Sequence, residues 1–205
     1  MTAIRALPPD PIAPWAEIVP HAPHHMTVAD LLDWPDDDGY RYEVVEGVLV
    51  RMAGTRPEAG AITRSLIFPL AAFVQAHGLG TVTLPDEVYD FEHTGQPNTG
   101  LLPDIGFYYA SRAHLVAPRE PIPFAPDLAV EVASASQDHD AMDKKARRYL
   151  RGGTSLVWIA WADEQTVDVW HPGDDAPSAT LMVADALDGE SVVPGFTYPI
   201  ARLFP

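Results

Sequence analysis

Cysteine is absent from this sequence, and lysine occurs only twice, as the adjacent pair Lys144 and Lys145. The first absence excludes disulfides, thiolate metal sites and a cysteine nucleophile. The second belongs to a wider shortage of positive charge: 13 Lys and Arg face 29 Asp and Glu, a formal net charge of −16. So acidic a molecule repels duplex DNA at long range, and any nucleic-acid chemistry has to rely on a local cationic patch. One exists, because five basic residues (Lys144, Lys145, Arg147, Arg148 and Arg151) fall in one short segment. The plainer reading of that segment is a solvated helix face. Charged residues or prolines interrupt every apolar run, so no stretch is expected to reach the length of a membrane span. Residues 1–20 lack the basic and apolar regions of a signal peptide, and the expected localisation is cytoplasmic. A G-x-S-x-G elbow, a P-loop, a dinucleotide glycine pattern and H-E-x-x-H are also missing.

With 205 residues, 47% of them hydrophobic, the chain can bury one sizeable core. Residues 1–25 are proline-rich and read as an irregular arm, leaving residues 26–205 as the domain. The arm's His21, His24 and His25 have no metal-ligand spacing and read as solvated. Thr27 looks like a helix N-cap, with Asp30 three residues on, and that helix ends before Pro35. Asp36-Asp37-Asp38-Gly39 lacks the later ligands of an EF-hand and reads as an acidic turn. Glu46-Gly47 centres a hairpin with arms at 42–45 and 48–52. Ile62, Leu66, Ile67, Leu70, Phe73 and Val74 recur at helical spacing over 59–77, ended by Gly78 and Gly80, and Pro69 predicts a kink or a split. Strands are expected at 81–91, 104–109, 128–133, 155–161 and 166–170, with a turn-rich loop over 93–100. A helix is expected at 138–151, closed by Gly152-Gly153. A last hairpin is expected over 179–193 around Asp188-Gly189. Trp158, Trp161 and Trp170 lie on predicted strands and read as packing residues. The element order indicates an α/β fold, a mixed β-sheet flanked by helices.

The chemistry concentrates between residues 103 and 149. Two acids on separate strands, Asp104 and Glu131, and a lysine on the following helix suit a metal-dependent phosphodiester-cleaving site. Side chains alternate along a strand, so Glu131 shares a face with Ala129 and Ala133, while Leu128, Val130 and Val132 share the other. Small neighbours leave room beside the carboxylate, and a buried charge needs a cation, a hydrogen-bond network or a proton. Asp104 shares its face with Gly106, again leaving space. A structural salt bridge to an arginine is an equal alternative for either acid. On the helix, Met142, Ala146, Tyr149 and Leu150 define the apolar stripe. Lys144 points away from it, together with Arg148 and Arg151, the outward cations available for nucleic acid. Lys145 lies at the border and can reach back towards the sheet.

These segments resemble a known family. Tyr42-Glu43-Val44-Val45-Glu46-Gly47-Val48-Leu49, Pro103-Asp104-Ile105-Gly106-Phe107 and Asp127-Leu128-Ala129-Val130-Glu131-Val132-Ala133-Ser134-Ala135-Ser136 match it in order. Lys145-Ala146-Arg147-Arg148-Tyr149, Leu156-Val157-Trp158-Ile159 and Val193-Pro194-Gly195-Phe196 follow. Together they resemble the Uma-type family of the restriction-endonuclease-like PD-(D/E)XK superfamily. The resemblance implies a restriction-endonuclease-like core and a Mg²⁺ (or Mn²⁺) site. It implies Asp104 and Glu131 as metal ligands, with the main-chain carbonyl of Val132 assisting. It implies Lys145 as the residue that orients water or stabilises phosphate charge, and Glu43 as an auxiliary acid at the rim. The superfamily lysine two residues after the glutamate is Ala133 here, and the family's counterpart is Lys145 on the helix. The usual Ser-Pro-Ser is Ser134-Ala135-Ser136, and a histidine at the start of the long helix is replaced by Ala59.

The leading expectation is a metal-dependent endonuclease hydrolysing phosphodiester bonds in nucleic acid, with DNA as substrate. The family resemblance adds self-association as a homo-oligomer, with a dimer the simplest case, and no membrane partner. The alternative is a nuclease-fold interaction module with little or no catalysis, which acts through self-association or a protein partner. The −16 charge and the missing histidine favour that alternative.

Overall fold

The computed structural model describes residues 13–20, 22–23, 25–35, 39–53, 56–133 and 137–204. His21, His24, Asp36-Asp37-Asp38 and Ser134-Ala135-Ser136 lie outside the described residues. Strand β1 (Glu17–Ile18) precedes helix α1 (Val28–Leu32). Thr27 caps α1 in a full capping box: its hydroxyl accepts from the Asp30 N–H at 3.2 Å, and the Asp30 carboxylate accepts from the Thr27 N–H at 2.8 Å. The first hairpin forms as β2 (Tyr40–Val45) and β3 (Val48–Ala53). Glu46 and Gly47 take φ of 51° and 79°, the two positive values that match a two-residue turn to the strand twist.

Helix α2 (Pro57–His77) stops at Gly78, whose φ of 62° supplies the left-handed C-cap. Pro69 does not split it: α2 is one helix of 21 residues. Ile62 and Leu66 before the proline and Leu70 and Val74 after it are all buried in the same core, which holds the two halves in line. The sequence expectation about span length is corrected here, since α2 is long and apolar enough to cross a membrane by length and composition, with mean hydropathy 1.3. Its buried stripe packs on a sheet, so the apolar content has an internal use.

The single strand expected at 81–91 is two strands in different sheets, β4 (Gly80–Thr83) and β5 (Tyr89–Asp90). Pro85 and Asp86, the latter at φ 79°, turn the chain between them. A third short strand, β6 (Gly100–Leu101), closes the loop that follows. The central elements come next: β7 (Ile105–Tyr109), β8 (Leu128–Ala133), α3 (His139–Arg151), β9 (Leu156–Trp161) and β10 (Thr166–Trp170). The hairpin expected at 179–193 is replaced by three strands, β11 (Ala179–Leu181), β12 (Ala186–Asp188) and β13 (Thr197–Pro199). β11 pairs with β10 and β12 pairs with β13. Asp188-Gly189 therefore does not close a tight turn. The chain from Gly189 onward carries Val192, Val193 and Phe196 into the core before returning.

A six-stranded sheet runs β11-β10-β9-β8-β7-β4, and a five-stranded sheet runs β1-β3-β2-β6-β5. Among the strands of the described residues only β8 and β9 pair with each other in parallel, and α3 is the crossover between them. One face of the six-stranded sheet (Leu128, Val130, Val132, Trp158) packs with α2 and the C-terminal segment. Its other face (Ala129, Ala133, Val157, Ile159) packs with α3 and with Val45, Val50 and Leu101 of the second sheet. The far side of that second sheet carries Tyr42, Val44 and Leu49 and is covered by α1. The three tryptophans on strands are buried, as their strand positions predict. Glu131 thus enters the layer between the two sheets.

Candidate active site

β8 is buried along its whole length, and its alternation sends Glu131 to the α3 side while Val130 and Val132 face α2. The small side chains of Ala129 and Ala133 flank Glu131 on that face. α3 is set against it so that Lys145 and Tyr149, one helical turn apart, both reach the carboxylate. Glu131 Oε1 accepts from Lys145 Nζ at 2.9 Å and from the Tyr149 hydroxyl at 2.7 Å. Lys145 is only 2% exposed. Its border position on the helix wheel is therefore resolved inward, as its spacing predicts.

β2 supplies the second carboxylate. Glu43 Oε1 lies 3.1 Å from Lys145 Nζ and accepts the Leu102 N–H at 3.0 Å, while Oε2 accepts the Trp15 indole N–H at 2.9 Å. The ammonium thus sits between two acids from two sheets. Asp104, just before β7, completes the set. Its Oδ2 accepts the N–H of Val132, the residue after Glu131, at 2.8 Å, which holds the two acids at one point along β8. Its Oδ1 accepts from Arg41 at 2.6 Å, and Arg41 also donates to the Leu102 carbonyl and to Asp86.

Three carboxylates (Glu43, Asp104, Glu131) face two cations (Arg41, Lys145), a surplus of one negative charge when all three acids are ionised. Burial, with Asp104 and Glu43 adding to it, pushes the Glu131 carboxyl up to about 7 against the opposing pull of Lys145. Burial works to lower the Lys145 ammonium, but Glu131 and Glu43 outweigh it and the group is held above its ordinary value. Burial beside the same acids raises the Tyr149 hydroxyl well above its ordinary value, so it stays a hydrogen-bond donor.

Several placements differ from those expected of the sequence. Glu43 is not at the rim but fully buried, at 0% exposure. Arg148 is not on the outward face: it is buried, donating to Glu46 at 2.9 Å and to Gln96 at 3.3 Å. The loop that carries Gln96 folds over this flank of α3 and widens its buried stripe. Lys144 does face outward, paired with Asp140 at 2.9 Å, and Arg151 is exposed beside an open groove lined by Arg148, Gln96 and Asn98. The space expected beside Gly106 is filled, because a Cβ there would collide with the Tyr89 and Thr83 hydroxyls, which bond to each other at 2.8 Å. The arginine alternative for Asp104 is realised in Arg41, whereas Glu131 takes a lysine instead.

Sequence reasoning did not place Arg41, Tyr149 or Trp15 in this cluster. Two of them carried a signal. Arg41 is two residues from Glu43 on β2 and so shares its face, and Tyr149 is four residues from Lys145 on α3. Trp15 carried none, because it lies 28 residues from Glu43 in an irregular segment.

Among the described residues no group of three His, Asp or Glu is arranged to hold a metal. A Mg²⁺ ion does not require one, since it commonly takes one or two carboxylates and keeps waters. The donors present are hard oxygens, and each carboxylate oxygen of Asp104 and Glu131 offers two acceptor sites, so their hydrogen bonds leave coordinating capacity. The surplus negative charge points the same way. The residues fit a hard divalent cation.

Residues 28–201 match the family model Uma2, "Putative restriction endonuclease". No curated protein matches the chain. The fold is shared with the crystal structure of a putative nuclease belonging to DUF820 from Anabaena variabilis ATCC 29413. The likeness covers 87% of this chain and 97% of that chain, at 22% identity and a TM-score of 0.70. The resemblance carried by Glu43, Asp104, Glu131 and Lys145 is thus met by a match over most of the chain, and the protein belongs to the Uma2 family, a family of nuclease type.

Proposed function

We propose that the protein is a Mg²⁺- or Mn²⁺-dependent endonuclease that hydrolyses phosphodiester bonds, with DNA as its substrate. One observation carries this reading: Lys145, 2.9 Å from Glu131 and 3.1 Å from Glu43, is buried beside Asp104 in a cluster with surplus negative charge. Asp104 and Glu131 would hold the cation, with the main-chain carbonyl of Val132 as a further donor. When bound, the ion supplies Lewis acidity at the phosphate and lowers the pKa of water. Tyr149 fixes the Glu131 carboxylate, and Arg41 with the Val132 amide fixes Asp104. Lys145 presents ammonium protons where the scissile phosphate or the attacking water would lie. Glu43 holds that ammonium in place. Lys144 and Arg151 supply surface charge for the nucleic-acid backbone, and Arg148 joins them if it exchanges Glu46 for phosphate. The enzyme would act in the cytoplasm as a homodimer, and a monomer in sedimentation velocity would remove the dimer from this picture.

The test is incubation of purified protein with single- and double-stranded DNA and RNA in Mg²⁺ or Mn²⁺. Cleavage is expected, and it should vanish in Asp104→Ala and Glu131→Ala. Cleavage that survives both substitutions, or no cleavage at all, would overturn the reading. A crystal soaked in Mn²⁺ should show anomalous density between Asp104 and Glu131.

The 2.6 Å Arg41–Asp104 pair supports a second reading, in which the cluster is structural and the protein is an interaction module. Calorimetric titration separates the two: no Mg²⁺ or Mn²⁺ uptake together with a stable oligomer favours the module.

A further inference from the structure

The geometry points to Trp15 as a positioning residue that holds Glu43 against Lys145, contributed by a segment outside the span that matches the family. The inference rests on the reading of the Glu43–Lys145–Glu131 cluster as the catalytic centre. The family match begins at residue 28, so Trp15 comes from chain that the family model does not cover. That chain is nevertheless built into the fold. Ala13 and Trp15 are buried in the core layer between the two sheets. β1 extends the edge of β3, with Glu17 opposite Arg51 and Ile18 opposite Val50, and Glu17 and Arg51 pair at 3.2 Å.

The contacts of Trp15 reach the centre of the cluster. Its indole N–H donates to Glu43 Oε2 at 2.9 Å, while Oε1 takes Lys145 and the Leu102 amide. Its ring centroid also lies 6.0 Å from Lys145 Nζ and 6.0 Å from the Arg148 guanidinium carbon. A fully buried carboxylate must have both oxygens satisfied, so a donor on Oε2 fixes the torsion that aims Oε1 at Lys145. Without the indole N–H, Oε2 is left buried and unsatisfied, and the Leu102 amide and Lys145 alone hold the carboxylate, which loosens one of the two anchors of the ammonium. The aromatic body meanwhile packs in the core layer beside the same ammonium. Trp15 touches neither phosphate nor metal in this scheme, and it acts through Glu43.

Trp15→Phe retains most of the ring and removes the donor, and Glu17→Gln serves as a control that weakens β1 at an exposed ion pair. In the full-length protein, Trp15→Phe should lower kcat by roughly 10-fold or more, the scale of one lost charge-assisted hydrogen bond, with KM within about two-fold of wild type. Glu17→Gln should leave both values unchanged. Nuclear magnetic resonance of ¹⁵N-labelled protein gives a readout independent of cleavage. The Trp15 indole signal, identified by its loss in Trp15→Phe, should exchange slowly with solvent and shift in Glu43→Gln. Wild-type kcat in Trp15→Phe, or an indole proton exchanging as fast as that of free tryptophan, would overturn the inference. If the wild type cleaves no substrate, the catalytic reading fails by itself. The placement of Trp15 is then judged by exchange and by the Glu43→Gln shift, whose absence would overturn it.

Discussion

Removing the amine of Lys145 would leave the buried Glu131 and Glu43 carboxylates facing one another. Lys145→Met keeps most of the side-chain volume but strands two buried acids. The expected loss of stability is roughly 3–5 kcal/mol, the range for breaking a buried ion pair, measured by urea unfolding. Cleavage should disappear with it. Glu131 gives a second prediction, through pH. Its carboxyl rises from an ordinary 4.5 to about 7 on folding, so the native state binds this proton more tightly than the unfolded chain does. The stabilising contribution is complete below the unfolded value and is lost as pH climbs through the folded one. A divalent cation competes with the same proton. The rise in melting temperature on adding saturating Mg²⁺ or Mn²⁺ should therefore be larger near pH 8 than near pH 5, by differential scanning calorimetry. An equal rise at both would mean that Glu131 is not a ligand.

Elements carry constraints that single residues do not. β7 and β4 approach the second sheet closely because Gly106 has no side chain where the Tyr89 and Thr83 hydroxyls meet. Gly106→Ala should cost about 1–3 kcal/mol through overpacking and should weaken the seat of Asp104 two residues away, seen as lower stability together with weaker Mn²⁺ uptake. In α2 the opposite change is expected. Pro69 withholds one backbone hydrogen bond from a helix that is continuous on both sides of it. Pro69→Ala should restore that bond and raise the urea midpoint, since proline in a helix interior costs about 3 kcal/mol relative to alanine. At this scale much was legible from sequence. A near-continuous apolar run marked β8 and 3.6-residue periods marked α2 and α3, and the Thr27 capping box and the Glu46-Gly47 turn are local chemistry that needs no tertiary partner. The errors at 81–91 and 179–193 arose where short strands exchange partners between sheets, because a two- or three-residue strand has too few side chains to show a period.

For the whole molecule the net charge of −16 sets the terms of any encounter with nucleic acid. Lys144, Arg147 and Arg151 are cations of α3 outside its buried stripe, with Lys144 engaged by Asp140 and Arg147 by the Asp175 carbonyl. Arg151→Glu should weaken DNA binding and reduce the salt slope of the affinity by about one, as read by fluorescence anisotropy over a salt series. Arg148 is held inside by Glu46 and Gln96, so Arg148→Ala should also lower stability.

Spacing along a single element was enough to set part of the site. Glu131 stands on β8 and Asp104 immediately before β7, and Lys145 rather than Lys144 turns inward, because the periods of strand and helix are properties of the local chain. Packing of the layers was needed to bury Glu43 at the centre, to pin the two acids with Arg41 and Tyr149, and to bring Trp15 across 28 residues of chain to join them. Those contacts link two sheets and an N-terminal segment. Their distances follow from how the layers pack, which no periodicity in the sequence encodes.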